Sequence, residues 1–90
     1  MGHIKIFTKG ECPRCPAAKE IGNILQQEGI HVFYYDVETP DGLAEAAFYS
    51  VMSTPTIIIE DENERVLAGW RGSVPTLHEI QGVIRSQWSC

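Results

Sequence analysis

Apolar positions along the chain switch between a period of two and a helical period, and the switches mark the elements. His3–Thr8 (HIKIFT) is β-branched and aromatic, with Ile4 and Ile6 on one face and Phe7 on the other. A strand apolar on both faces suits the centre of a covered, parallel sheet. From Pro13 to about Glu28, Ala17, Ala18, Ile21, Ile24 and Leu25 recur at helical spacing, and Gly29 supplies the stop. Pro13 fits the first helical turn, whereas Pro16 is expected to cost an early hydrogen bond or tilt that turn. Ile30–Val37 reads as a second strand. Thr39-Pro40-Asp41-Gly42 is turn and helix-start chemistry leading into a short helix from about Leu43 to Tyr49. Thr56–Glu60 and Arg65–Trp70 are strands, and the polar loop Asp61–Glu64 between them is too short for a crossover helix, so they pair antiparallel. Thr76-Leu77-His78-Glu79 has the form of a capping box, and Leu77, Ile80, Val83, Ile84 and Trp88 stripe the last helix. The order β-α-β-α-β-β-α predicts an α/β sandwich with a hairpin closing one sheet edge.

Composition narrows the class. Ninety residues at 43% apolar content predict a single domain over 1–90 with one core, and the charged fraction and apolar content together exclude wholesale disorder. Seven basic against twelve acidic side chains give a net charge of -5, which lacks the basic field that a nucleic-acid partner requires. No apolar run is long enough for a membrane span, and the opening MGHIKIF lacks the apolar core of a secretory signal. The three cysteines, two of them clustered, do not form a secreted disulfide scaffold, and the expected compartment is a reducing cytoplasm.

The clustered pair, Cys12-Pro13-Arg14-Cys15, carries the chemistry. It stands where a strand ends and a helix begins, the place where ligands collect in open α/β sheets. Cys12 is expected at or just before the helix start, its sulfur facing free amides and the positive end of the helix dipole. An unperturbed thiol with a pKa of ~8.5 is only ~3% ionised at pH 7, and a shift to ~7 makes it half ionised. Lys9 and Arg14 push the same way, and Glu11 opposes them. Cys15 lies about one turn further on, within bonding reach. The expected cycle has Cys12 attack a target disulfide and Cys15 resolve the mixed disulfide. The alternative is a Cu(I) or zinc carrier using the same two thiolates. Closed zinc sites need four ligands, and His3, His31 and His78 do not stand at completing positions.

The stretch IFTKGECPRCPAAK, followed by Ser53-Thr54-Pro55-Thr56, resembles the thioredoxin/glutaredoxin superfamily, most closely its small archaeal-type thioredoxins with a CPxC motif. The resemblance runs from about Ile4 to Trp88. It implies a thioredoxin-like fold with a four-stranded mixed sheet in the order 2-1-3-4, the first and last helices on one face and the middle helix on the other. It further implies that Cys12 attacks and Cys15 resolves, that Pro55 is a cis-proline packed beside the sulfurs, and that Pro13, Arg14, Thr54 and Pro55 meet an extended substrate segment. Implied partners are protein disulfides and an upstream reductase acting on a monomer, with no cofactor beyond the Cys12–Cys15 disulfide. Larger thioredoxins place a buried Asp on the strand before the motif. Ile6 holds that position here, so another group or water must serve. Lys9 matches a lysine that glutaredoxins set against a glutathione carboxylate, but Gly69–Ser73 replaces their second glutathione-binding segment.

The remaining polar and aromatic residues are expected to have structural or solvated roles. Cys90 reads as a terminal thiol, Trp70 as packing, and Tyr34 and Tyr35 as core and rim of one strand. His31 and His78 are read as exposed, and the acidic run Glu60–Glu64 as a solvated hairpin tip.

Overall fold

A computed structural model describes residues 2–88; Cys90 lies outside the described residues. The elements are β1 (Gly2–Thr8), α1 (Cys15–Gln27), β2 (His31–Asp36), α2 (Pro40–Phe48), β3 (Thr56–Asp61), β4 (Val66–Arg71) and α3 (Leu77–Gln87). The four strands form one mixed sheet in the order β2-β1-β3-β4. β1 runs parallel to β2 and antiparallel to β3, and the β3–β4 hairpin closes one edge.

Strand alternation divides the interior in two. Ile4 and Ile6 of β1 and Ile57 and Ile59 of β3 pack with Ala18 and Leu25 of α1 and Ile80 of α3. Phe7 and Ile58 point the other way, onto Ala46 of α2 and Tyr49 just beyond it. Each sheet face is therefore covered by its own helix layer, and β1 and β3 carry buried side chains on both sides, with Lys5 and Glu60 among them on the α2 face. Trp70 packs against the first of these clusters. His31 and His78 are exposed.

Local chemistry explains the helix ends. α1 closes in a Schellman arrangement: Gly29 has φ +87, its N–H bonds to the Gln26 carbonyl at 3.0 Å, and the Ile30 N–H bonds to the Leu25 carbonyl at 3.1 Å. Thr39 caps α2 by accepting the Gly42 N–H at 3.0 Å. α2 therefore starts at Pro40, in the N1 position that proline favours, rather than at Leu43 as the apolar pattern suggested. The capping box on α3 is formed in both directions, the Glu79 N–H reaching Thr76 Oγ1 at 3.1 Å and the Thr76 N–H reaching Glu79 Oε2 at 2.7 Å. No helix among the described residues is long and apolar enough to cross a membrane.

Candidate functional site

β1 ends at Thr8, and the turn from Lys9 to Arg14 delivers the chain to α1 at the same sheet edge where β2 ends. The helix begins at Cys15 with Arg14 as its N-cap, two residues later than the apolar spacing implied. Cys12 thus lies in the preceding turn, its carbonyl accepting the Cys15 N–H at 3.2 Å. This later start also corrects the reading of Pro16. Proline in the first turn of α1 occupies a place whose N–H has no helical acceptor, so no helical hydrogen bond is lost there. First-turn amides are scarce beside Cys12: the Cys15 N–H goes to the Cys12 carbonyl, Pro16 has none, and the Ala18 N–H goes to the Arg14 carbonyl at 3.3 Å.

Cys12 and Cys15 are joined in a disulfide with their Cα atoms 5.3 Å apart. Cys12 keeps 9% of its surface exposed and Cys15 2%, so the first sulfur is the outer one, though less open than a free turn would leave it. A cleft of about 300 Å³ opens beside them. Its walls are Thr8 at the end of β1 and Lys9 after it, Lys19 one turn beyond Cys15, and Tyr34, Tyr35 and Asp36 at the end of β2. The parallel register sets Asp36 opposite Thr8, which explains how a residue so distant in sequence reaches the pair. Tyr34 donates its hydroxyl to Asn23 Oδ1 at 2.7 Å and to the Lys19 carbonyl at 3.1 Å, tying β2 to α1. A side chain at Gly22 would run into that hydroxyl and into Ile6, so glycine is what permits the close approach. Burial raises the Tyr34 and Tyr35 phenols above their ordinary values, with a smaller contribution from Glu45 at Tyr35.

Lys9 also lines a second cleft of about 170 Å³, together with Thr54, Met52, Val51 and Leu43. Leu43 and Met52 are exposed on its rim. The Thr54–Pro55 peptide is cis, Pro55 is buried, and its carbonyl accepts the Gly72 N–H at 2.9 Å. Of the residues expected at the site, Cys12, Cys15 and Lys9 therefore share one cleft, and Thr54 meets Lys9 in the other. Pro13 and Arg14 stand exposed on the turn. Lys19, Tyr34, Tyr35 and Asp36 were not expected at the site. The spacing of four between Cys15 and Lys19 was the one local signal; the β2 residues required the strand register.

The structure also corrects the reading of the acidic run. Glu60 does not belong to a solvated tip: it sits on β3 with no exposed surface. Its carboxylate accepts hydrogen bonds from Tyr49 Oη and the His3 ring and lies 3.6 Å from Lys5 Nζ. Lys5 also bonds to Tyr49 Oη at 2.8 Å and Glu45 at 3.1 Å. Burial alone pushes the Lys5 ammonium down. The bonds to Tyr49 and Glu45 and the Glu60 charge outweigh it and hold Lys5 above its ordinary value.

A family model described as a thioredoxin domain matches residues 2–85. The chain belongs to the thioredoxin family. Among its family relatives, a probable thioredoxin of Archaeoglobus fulgidus is 33% identical over 60 residues, 66% of this chain and 66% of that protein. A thioredoxin of Methanocaldococcus jannaschii is 37% identical over 65 residues, 68% of this chain and 73% of that protein. The solved structure of thioredoxin 1 from Thermosipho africanus superposes with a TM-score of 0.75 at 24% identity, covering 93% of this chain and 91% of that one. This thioredoxin-family chain, with its Cys12–Cys15 pair, is a thiol–disulfide oxidoreductase. Among the described residues, no group of three or more His, Cys, Asp or Glu side chains is arranged to hold a metal ion.

Proposed function

We propose that the protein reduces disulfides of other proteins, with Cys12 as the attacking thiol and Cys15 as the resolving one. The observation that carries this reading is the disulfide itself, which joins an outer sulfur in the turn before α1 to an inner sulfur on its first residue. In the reduced protein, Cys12 attacks a target disulfide and forms a mixed disulfide. Cys15 then attacks Cys12, restores the intramolecular bond and releases the target as a thiol. Exposed Pro13 and Arg14 beside the outer sulfur, and Thr54 across Lys9, supply the surface that a substrate segment would meet. Backbone recognition at Thr54 and Pro55 would suit an extended peptide. The cycle needs no cofactor beyond the cysteine pair. An upstream reductase returns it to the dithiol, and we infer a monomer working in the cytoplasm, where clustered thiols are usually catalytic.

The test is reduction of insulin disulfides, followed by precipitation of the freed chain. The parent turns over repeatedly with a small dithiol as electron source. Cys12→Ser abolishes turnover, and Cys15→Ser stalls as a mixed disulfide through Cys12 that mass spectrometry detects. Undiminished activity in Cys12→Ser would overturn the assignment.

A further inference from the structure

Resolution of the mixed disulfide requires Cys15 to lose a proton, because the thiolate is the nucleophile. Cys15 is buried, and Ile6 on the preceding strand is fully enclosed in the core and unable to take a proton. The cleft that reaches Cys15 is the open route by which its proton can leave. Lys9 and Lys19 on the cleft wall are cations with no acceptor site. Tyr34 and Tyr35 are phenols whose burial holds them in the protonated form, and Tyr34 already donates to Asn23 and Lys19. One carboxylate is on the wall: Asp36. Its Oδ1 accepts the Glu38 N–H at 2.8 Å, which fixes the side chain at the end of β2 and engages one of its two oxygens. The neighbouring Glu38 carboxylate is turned to the Gly10 N–H at 3.0 Å. The cleft, about 300 Å³ with Thr8, Tyr34 and Asp36 among its lining residues, has room for a bridging water.

We propose that Asp36 is the proton acceptor for Cys15, reached through water in the cleft that both residues line. The proposal rests on the cysteine roles given above. In the first half of the cycle, Cys12 as thiolate displaces one target sulfur, which takes a proton from solvent. In the second half, the Cys15 proton passes to Asp36 as the Cys15 sulfur attacks Cys12. The Cys12–target bond breaks, the Cys12–Cys15 bond forms, and the departing target thiolate recovers the proton from Asp36. Two protein thiols are oxidised and one target disulfide is reduced to two thiols. In the reverse direction Asp36 returns the proton to Cys15.

The sign of one substitution separates this role from a purely electrostatic one. A carboxylate acting only by its charge would hinder thiolate formation, so removing the charge would speed resolution. A carboxylate acting as base assists it, and its removal slows resolution. Asp36→Asn keeps the Oδ1 acceptor for the Glu38 N–H, so the turn is retained. With a chromogenic aromatic disulfide as target in stopped flow, release of the first thiolate reports attack by Cys12 and release of the second reports resolution. Asp36→Asn is expected to leave the first phase no slower than in the parent, since Cys12 in the same cleft loses a hindering charge, and to slow the second on the order of tenfold to a hundredfold near neutral pH. The second phase should also become steeply pH-dependent, rising about tenfold per pH unit as Cys15 ionises unaided, where the parent is nearly flat. Imidazole added as an external base should restore part of the lost rate, and Asp36→Glu should retain part of it. A second phase that is unchanged or faster in Asp36→Asn overturns the proposal while leaving the cysteine roles intact. Loss of the first phase in the parent would instead overturn the cysteine roles.

Discussion

Glu60 offers the sharpest test of how this small sheet is held together. Its carboxylate has no exposed surface, accepts from Tyr49 and His3, and faces the Lys5 ammonium at 3.6 Å. At an effective dielectric constant of about 20, attraction across that gap is on the order of 4–5 kcal/mol. Replacing Glu60 by Gln removes it but leaves Glu45 bonded to Lys5 at 3.1 Å, and a carboxylate no longer has to be kept out of water. The expected loss is therefore about 3 kcal/mol, at the lower end of what breaking one side of a buried pair costs. A domain of this size is stable by roughly 5–13 kcal/mol, so the loss is a large share, equivalent to a fall in Tm of about 12–24 °C. Urea unfolding followed by circular dichroism measures it, with the slope m unchanged. The double substitution Lys5→Met with Glu60→Leu replaces both charges by apolar groups and is expected to regain most of the loss or exceed the parent. If Glu60→Gln costs less than about 1 kcal/mol, or the double variant is no better than the single one, the reasoning from buried charge is wrong.

The same groups set the alkaline limit. Tyr34, Tyr35 and Tyr49 are raised above 10.0, in each case chiefly by burial, and Lys5 is held above 10.5 against burial by its bonds to Tyr49 and Glu45 and the Glu60 charge. The unfolded chain thus releases these protons first, and stability, complete below about pH 10, falls as pH rises beyond it; Glu60→Gln makes the fall shallower in urea titrations at stepped pH. Gly22→Ala gains up to about 1 kcal/mol in helix propensity but drives a methyl group into Tyr34 and Ile6, for a net loss of roughly 1–2 kcal/mol in the same assay. Thr76→Ala removes the cap on α3 and is expected to lower stability by about 1 kcal/mol, read as a fall in Tm of roughly 4–8 °C by calorimetry.

Element order was legible because each element carries its own signal: the double-faced apolar run of β1, the helical stripe ending at Gly29, the Thr76–Glu79 box. The errors fell at helix starts. There the apolar stripe marks which face is buried, while the first turn is set by caps and prolines, so α1 begins at Cys15 and α2 at Pro40. The cysteine pair was legible for the same local reason. Asp36 and the β2 tyrosines were not, since they reach the cleft through the β1–β2 register rather than through neighbours in sequence. Glu60 was misread because it opens an acidic run whose other members face solvent or its margin, and its partners Lys5, His3 and Tyr49 come from β1 and the residue after α2.

β2 is joined to the sheet on one side only, through β1. The same holds for β4, so thermal breathing should begin at these two edges, with β2 and β4 amides exchanging their hydrogens sooner than those of β3, which is clasped between two neighbours. The wall carrying Tyr34, Tyr35 and Asp36 thus stands on one of the two loosest margins of the sheet, held there by the Tyr34 bonds to α1.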